Sequence, residues 1–136
     1  MEIKINRTSL CAADDSSMAM GRYFSVNPHE NLCDLIKKIK QHSDFSVVFP
    51  KNGIFEMWHL QVQGKKVATI TSINNQIDVA IINQQQLYDI FSTSNSLYLK
   101  RDIDAIKTYQ FEISKNKEKE KINKSIARNK TKKMSL

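Results

Sequence analysis

Glycine, proline and cysteine are all scarce in this chain of 136 residues, and their scarcity argues against several classes of site. None of the three glycines belongs to a glycine-rich loop of the kind that cradles phosphate groups. Neither Cys11 nor Cys33 stands at a zinc-like spacing from a histidine. Two thiols without an export signal indicate reduced side chains, with a bridge between them as the alternative.

Long apolar runs are also missing. No stretch of about eighteen apolar residues is present, which argues against a membrane span. Residues 1–6 alternate and are then followed by polar residues, which is not the pattern of a secretory signal. We therefore expect a cytoplasmic protein that does not engage a membrane.

The net charge of +7 is concentrated at the C-terminus. Residues 115–136 hold eight Lys and one Arg against two Glu, so their net charge is 9 − 2 = +7, and residues 1–114 hold 12 basic and 12 acidic side chains. A chain that is 40% hydrophobic fits one core. We expect a single α+β domain over residues 1–114 and a basic tail over residues 115–136, either flexible or helical.

The most regular pattern predicts the main helix. Asn27 suits an N-cap, Pro28 suits the first helical position, and Glu30 stands where a capping-box acid is expected. Beyond the cap, four apolar residues recur at helical spacing: Leu32, Leu35, Ile36 and Ile39. The pattern predicts a two-faced helix over Pro28 to His42 that needs a sheet to cover its apolar stripe.

Alternating and β-branched segments predict that sheet. Strands are expected at residues 1–6 and 23–26, and a strand, loop, strand and helix in this order open a β-grasp-like or related α+β domain. Four further strands joined by short turns predict an antiparallel meander, at residues 45–49, 54–63, 67–73 and 77–82.

The chain beyond the meander is less regular. Asn83 suits the cap of a second short helix over Gln84 to Phe91, and residues 97–99 suit a strand. Residues 101–114 fit either a helix or a strand, and we expect a helical turn followed by a last strand. The predicted fold class is α+β: an antiparallel, meander-type sheet packed against one main helix, with a second short helix and a basic C-terminal tail.

Acidic and histidine side chains form no catalytic pattern. Asp14 and Asp15 offer oxygen ligands for a hard metal ion or an acid–base pair, but adjacent side chains on an extended chain point apart, which favours a solvated turn. His29, His42 and His59 stand at no spacing typical of zinc, and no serine or cysteine lies in a nucleophile elbow. We therefore expect no catalytic residue, no metal and no cofactor.

The strand at residues 54–63 has the cleanest alternation in the chain. One face carries the core residue Trp58 together with Ile54, Glu56, Leu60 and Val62. The other face carries a mixture typical of interaction surfaces: Phe55, Met57, His59, Gln61 and Gln63. We expect the first four of these to bind a protein partner. In the alternative, the second helix covers this face through Leu87 and Phe91.

The basic tail suggests a second class of function. Its cations can neutralise phosphates and release counterions: Lys115, Lys117, Lys119, Lys121, Lys124, Arg128, Lys130, Lys132 and Lys133. The tail has no aromatic residue to stack on bases and little arginine to read them, so only non-specific nucleic-acid binding is expected. A solvated, solubilising tail is the simpler alternative.

A short segment carries a resemblance. Met1 to Asp15 resembles the opening of small uncharacterised bacterial proteins that begin with a strand and a Ser-x-Cys-x-Gly-Asp-Asp segment, with Ala13 in the place of the glycine. The size and the Asn, Lys, Ile, Gln and Ser bias are similar to those of bacterial immunity proteins, which neutralise toxins by occlusion. This resemblance implies a non-enzymatic protein-binding module that inhibits a toxin. The alternative is a nucleic-acid-associated protein that uses the tail.

Overall fold

A computed structural model describes residues 1–8, 21–50, 54–73 and 76–116. In chain order the elements are β1 (Glu2–Arg7), β2 (Arg22–Ser25), α1 (Leu32–Gln41), a 3-10 helix (Ser43–Val48), β3 (Glu56–Val62), β4 (Lys65–Ile73), β5 (Gln76–Ile81), α2 (Leu87–Ile90) and β6 (Ser96–Arg101). The backbone is helical again over residues 103–116, here called α3. Met1–Ile103 forms one compact unit, and the described residues from Asp104 onward belong to a second.

The strands of the first unit form one mixed six-stranded sheet in the order β2-β1-β6-β3-β4-β5. The β1 and β6 strands are parallel, and every other neighbouring pair is antiparallel. The α+β class is therefore confirmed, whereas the prediction of a purely antiparallel sheet was wrong. The meander exists but contains three strands, β3 to β5, rather than four.

The predicted strand over residues 45–49 is wrong because this segment forms the 3-10 helix. Its two fully buried side chains, Phe45 and Val48, are three residues apart, which is one turn of such a helix. The His42 ring accepts a hydrogen bond at Nδ1 from the Asp44 amide, 3.2 Å away, and so caps the first turn. A short apolar run does not by itself distinguish a strand from a helical turn.

The cap of the main helix lies four residues later than predicted. Asn31 is the N-cap of α1, and its side chain accepts from the amide of Asp34, whose carboxylate accepts from the Asn31 amide. Asn27 instead closes a tight turn, because its side chain accepts from the His29 amide. The C-terminal boundary at His42 is confirmed.

The segment after β5 differs from its prediction in a similar way. Helix α2 covers Leu87–Ile90, and its N-cap Gln86 makes no side-chain capping bond. The Asn83 side chain accepts from the Gln85 amide in the preceding loop rather than capping the helix. Residues 103–116 are helical throughout, so the predicted last strand within 101–114 is wrong. Because α3 is longer than α1, the expectation of one main helix is not confirmed.

The core lies between α1 and one face of the sheet. All four residues of the predicted apolar stripe of α1 are buried in one cluster with Ile3, Ile5, Trp58, Leu60, Leu97 and Leu99. The helix α2 and its C-cap add Leu87, Ile90 and Phe91 to the same cluster. The predicted core face of β3 is confirmed for Trp58, Leu60, Val62 and Glu56, but Ile54 is 53% exposed. We call this side of the sheet the core face.

One ion pair is buried at the margin of the core. Glu56 is 4% exposed and receives hydrogen bonds from two nitrogens of Arg101, with Nε to Oε1 at 3.0 Å and the second nitrogen to Oε2 at 3.0 Å. Arg101 is the Cα partner of Trp58, two residues beyond Glu56, so this pair of hydrogen bonds joins β3 to β6 diagonally. A buried carboxylate left without its partner costs several kcal/mol, so the pair opposes slippage between the two strands.

The β3–β4 hairpin is held by a side chain as well as by its turn. Gln63 and Gly64 have φ values of 52° and 76°, the left-handed conformation that a two-residue turn between such strands requires. Asn or Gly is usual at the first of these positions. Gln63 instead exchanges hydrogen bonds with Thr93, accepting from its hydroxyl at 2.8 Å and donating to its carbonyl at 3.4 Å. The tip of the hairpin is thereby tied to the segment that leads into β6.

In the described parts of the chain, no helix combines the length and apolarity required to cross a membrane. The predicted boundary between a domain and a tail at residue 114 stays a prediction.

Replacing Asn31 with alanine is expected to lower the free energy of unfolding by about 1 kcal/mol, because the substitution removes the acceptor for the Asp34 amide. Asn27→Ala is the matched control, and we expect it to cost less than about 0.5 kcal/mol. Urea unfolding followed by circular dichroism measures both. Equal losses, or a larger loss for Asn27→Ala, would contradict the assignment of Asn31 as the cap.

Candidate functional site

The face of the sheet opposite the core face carries a mixed set of polar and aromatic side chains. Strand alternation and register place these residues on it: Lys4, Tyr23, Met57, His59, Gln61, Thr69, Thr71, Tyr98 and Lys100. We call this the opposite face. Tyr23 is 64% exposed and Tyr98 is 41% exposed, whereas Met57, His59 and Gln61 are half-buried.

The structure brings three of the four predicted binding residues together on this face. Met57, His59 and Gln61 occupy alternate positions along β3, as the sequence pattern predicted. Phe55 lies just before β3 begins and is half-buried. The alternative, in which the second helix covers this face, is wrong. Leu87 and Phe91 are both buried in the cluster on the core face.

His59 is the most constrained side chain of the opposite face. Its Nδ1 lies 2.9 Å from Oγ1 of Thr69, its Cα partner on β4, and its Nε2 lies 2.7 Å from Oδ2 of Asp102. Asp102 follows β6 and is positioned by its own amide, which donates to the Met57 carbonyl at 2.9 Å. Three strands of the sheet therefore converge on one imidazole, and the ring is 14% exposed.

These contacts define the tautomer of a neutral His59. An ionised carboxylate only accepts hydrogen bonds, so Nε2 carries the proton and donates it to Asp102. Nδ1 is then an acceptor, and the Thr69 hydroxyl donates to it. The order hydroxyl, imidazole, carboxylate is the arrangement that activates a nucleophile in hydrolases.

Thr69 is nevertheless poorly placed for acyl transfer. It lies within β4, and β4 has a strand on both sides, so the backbone amides around it are used in the sheet ladder. Nucleophilic catalysis of this type needs free donors aimed at the developing oxyanion. The structural consequence of the three contacts is clear: they fix the His59 ring across three strands.

Tyr98 and Lys100 extend the site beyond the residues that the sequence pattern singled out. Lys100 is the Cα partner of His59, and Tyr98 is the Cα partner of both Gln61 and Asn6. The Tyr98 hydroxyl lies 3.3 Å from Oγ1 of Thr8. The alternation of β6, in which Leu97 and Leu99 are buried, is the signal that could have placed Tyr98 and Lys100 on this face.

The remaining candidate residues do not join this site. His29 contacts the Tyr88 ring at 6.1 Å between centroids, and His42 packs between Phe24 and Phe45. Cys33 is a free thiol and is exposed. Cys11, Asp14 and Asp15 lie outside the described residues. Within the described ranges, no three His, Cys, Asp or Glu side chains are grouped closely enough to hold a metal ion.

Only the first residue of the predicted nucleic-acid-binding set lies in the described chain. Lys115 is exposed, and its Nζ lies 4.5 Å from the centre of the Phe111 ring. The other eight lie outside the described residues: Lys117, Lys119, Lys121, Lys124, Arg128, Lys130, Lys132 and Lys133.

Comparisons with known proteins found no relative of this chain. No family model, curated protein or solved structure matches the chain.

The tautomer of His59 can be measured directly. In ¹⁵N spectra, the neutral ring should show a protonated Nε2 and an unprotonated Nδ1, because Nε2 faces the carboxylate. Thr69→Val removes the hydroxyl with little change of shape, and we expect it to shift the Nδ1 signal while Nε2 stays protonated. A protonated Nδ1 in the unsubstituted protein would contradict the assigned hydrogen bonds.

Proposed function

We propose that the chain is a non-enzymatic protein-binding module of β-grasp-like architecture. The architecture is supported by the connectivity of the sheet, in which the last strand β6 lies between β1 and β3, parallel to the first and antiparallel to the second. The binding function is carried by one observation. The exposed Tyr98 lies opposite half-buried Gln61, on a face of the sheet that also carries half-buried His59 and Met57 and that the core does not use.

The chemistry of this patch suits a protein surface. Tyrosine and methionine are enriched at protein interfaces, where an aromatic or flexible side chain buries a large area at low entropic cost. The side-chain amide of Gln61 supplies hydrogen-bonding groups beside them, and the neighbouring His59 ring is held rigid by its own two hydrogen bonds. Lys100 and Asp102 flank the patch with charges of both signs, which can set the orientation of a partner.

The backbone amides around Thr69 are used in the sheet ladder, which favours a binding role over catalysis by the hydroxyl, imidazole and carboxylate group. In its narrower form, the proposal is an immunity-type inhibitor that neutralises a bacterial toxin by occlusion. An occluding inhibitor needs a rigid complementary surface rather than a reactive group. A patch built on the central strands of a sheet and fixed by hydrogen bonds across three of them is such a surface.

The test exchanges one tyrosine and uses another as its control. Tyr98→Ser removes an exposed ring from the opposite face, whereas Tyr88→Ser removes one with a similar exposure, 49% against 41%, from helix α2. A central aromatic anchor is worth about 2 kcal/mol or more, so the Tyr98 variant should bind its partner at least about 30-fold more weakly. The readout is capture of a partner from bacterial extract, followed by titration of the captured protein.

Two outcomes decide the assignment. Loss of capture with Tyr98→Ser but not with Tyr88→Ser supports binding through the opposite face. Full capture by Tyr98→Ser, Met57→Asp and Phe55→Asp alike rejects it. Thermal unfolding of each variant shows whether a lost partner reflects a lost fold.

A second candidate function is non-specific binding of single-stranded nucleic acid through the basic tail. One observation about the sheet favours it: Lys4 and Lys100 flank Tyr98 on the opposite face, one on the neighbouring strand β1 and one on its own strand. An aromatic ring between cations is the combination that stacks a base and holds its backbone, and the tail itself has no ring to offer.

This candidate predicts a steep dependence of binding on salt. For each phosphate that is neutralised, the logarithm of the association constant should fall by about 0.7 per tenfold increase in salt. A chain truncated after Ser114 loses all nine cations of the tail and should lose most of its affinity for a labelled oligonucleotide. Unchanged affinity after truncation, or binding that ignores salt, would contradict it.

A further inference from the structure

The strand β5 forms an open edge of the sheet. In the described chain it pairs with β4 alone, in a continuous antiparallel register from Ala68 opposite Ile81 to Ile73 opposite Gln76. The Ile82 amide continues this ladder by donating to the Val67 carbonyl at 2.9 Å. Hydrogen bonding alternates along an antiparallel strand, so the backbone groups of residues 76, 78, 80 and 82 face β4.

The intervening residues therefore direct their backbone groups away from the sheet. These are Ile77, Val79 and Ile81, and each side chain is half-buried against the core cluster. An edge strand of this kind is a template for another strand unless it is protected by lysine, proline, a bulge or short length. The β5 edge has none of these protections: it has six residues, a continuous register, and Asp78 as its single charge.

An open groove lies beside the end of this edge. It has a volume of about 280 Å³ and is lined by the start of α1 and the end of β5: Asn31, Leu32, Cys33, Ile81, Asn83 and Gln84. Leu32 and Ile81 give it an apolar floor. A side chain that projects from an added strand toward the core face, opposite Ile81, would enter this groove.

We propose that a second copy of this chain pairs with the first along β5, antiparallel, with Val79 facing Val79 of the partner subunit on the twofold axis. This inference does not depend on the proposed function, because β5 lies two strands away from the β6–β3 pair that carries Tyr98 and His59.

The register of the two β5 strands follows from the position of the twofold axis. With Val79 on the axis, Ile77 faces the partner's Ile81 and Asp78 faces the partner's Ala80. All three outward-facing residues of each copy then pair with residues of the other copy. The amide of each donates one hydrogen bond and its carbonyl accepts one, so the two strands share six hydrogen bonds. Each aliphatic side chain of the edge meets an aliphatic side chain, and neither Asp78 meets a like charge.

The neighbouring symmetric registers are worse for identifiable reasons. A shift in one direction places Asp78 opposite the partner's Asp78, and like charges directly opposite destabilise a strand pair. A shift in the other direction places Ile77 opposite the partner's Asn83, whose amide already donates to the Val67 carbonyl of its own chain. The edge of β5 is thus complementary to itself in one register.

The groove strengthens the choice of a second copy as the occupant. In this register the partner's Ile77 lies beside Ile81 on the core face, where the groove opens. Its aliphatic side chain fits the floor formed by Leu32 and Ile81 and covers the exposed thiol of Cys33. A single strand pair buries less area than a standard interface, so we expect a reversible dimer that forms with rising concentration.

Charge substitutions at the axis test this pairing. Val79→Lys and Val79→Glu each place two like charges face to face, and each should weaken self-association by at least tenfold in sedimentation equilibrium. An equimolar mixture of the two should regain the dimer, because unlike charges then meet at the axis. Tyr23→Lys adds the same charge at an exposed position on the strand at the far edge of the sheet, and this charge control should dimerise like the unsubstituted chain.

Two further measurements check the register. Ala80→Lys faces the partner's Asp78 twice in each dimer and should strengthen association severalfold. In a Cys11→Ser background, alkylation of Cys33 should slow as the protein concentration rises. A chain that stays monomeric at millimolar concentration, a Tyr23→Lys variant that dissociates as readily as Val79→Lys, or a mixture of the two Val79 variants that stays monomeric would overturn the proposal.

Discussion

The fold depends on the insertion of β6 between β1 and β3. This strand pairs on both sides and delivers Leu97 and Leu99, both fully buried, to the middle of the core. Without it, the sheet would separate into the β1–β2 hairpin and the β3–β5 meander, and an isolated two-stranded hairpin is marginally stable in water. The pairing is also distant in the chain, because Ile5 lies opposite Leu97, 97 − 5 = 92 residues away. The cost in chain entropy is offset only when the whole core closes.

The sequence predicted individual elements better than it predicted how they pair. Six strands were foreseen because alternation reports which side chains are buried, and the burial along β3 follows that pattern residue by residue. The two false strands, at residues 45–49 and within 101–114, came from short apolar patterns that suit a helical turn equally well. The helix start was misplaced because the capping pattern at Asn27 belongs to a tight turn, whereas the helix is capped by Asn31. No local pattern states that β6 lies parallel to β1.

For the candidate site, the sequence predicted which residues of β3 share a face, but not which residues of other strands contact them. Met57 and His59 share a face because strand geometry requires it, so the sequence sufficed to group them. Thr69 and Asp102 contact His59 from β4 and from the end of β6, at sequence separations of ten and forty-three residues. Their roles follow from register, which is a property of the assembled sheet. The buried pair of Glu56 with Arg101 escaped prediction for the same reason, since each residue alone looks like an ordinary charged position.

The central position of β6 in the sheet has a consequence for folding during synthesis. A chain that leaves the ribosome from its N-terminus presents β1 and β3 long before the strand that joins them has been synthesised. Until Arg101 emerges, the free sides of both strands and the apolar face above them are open to solvent and to other nascent chains. An incomplete chain of this kind is prone to aggregate until β6 closes the core.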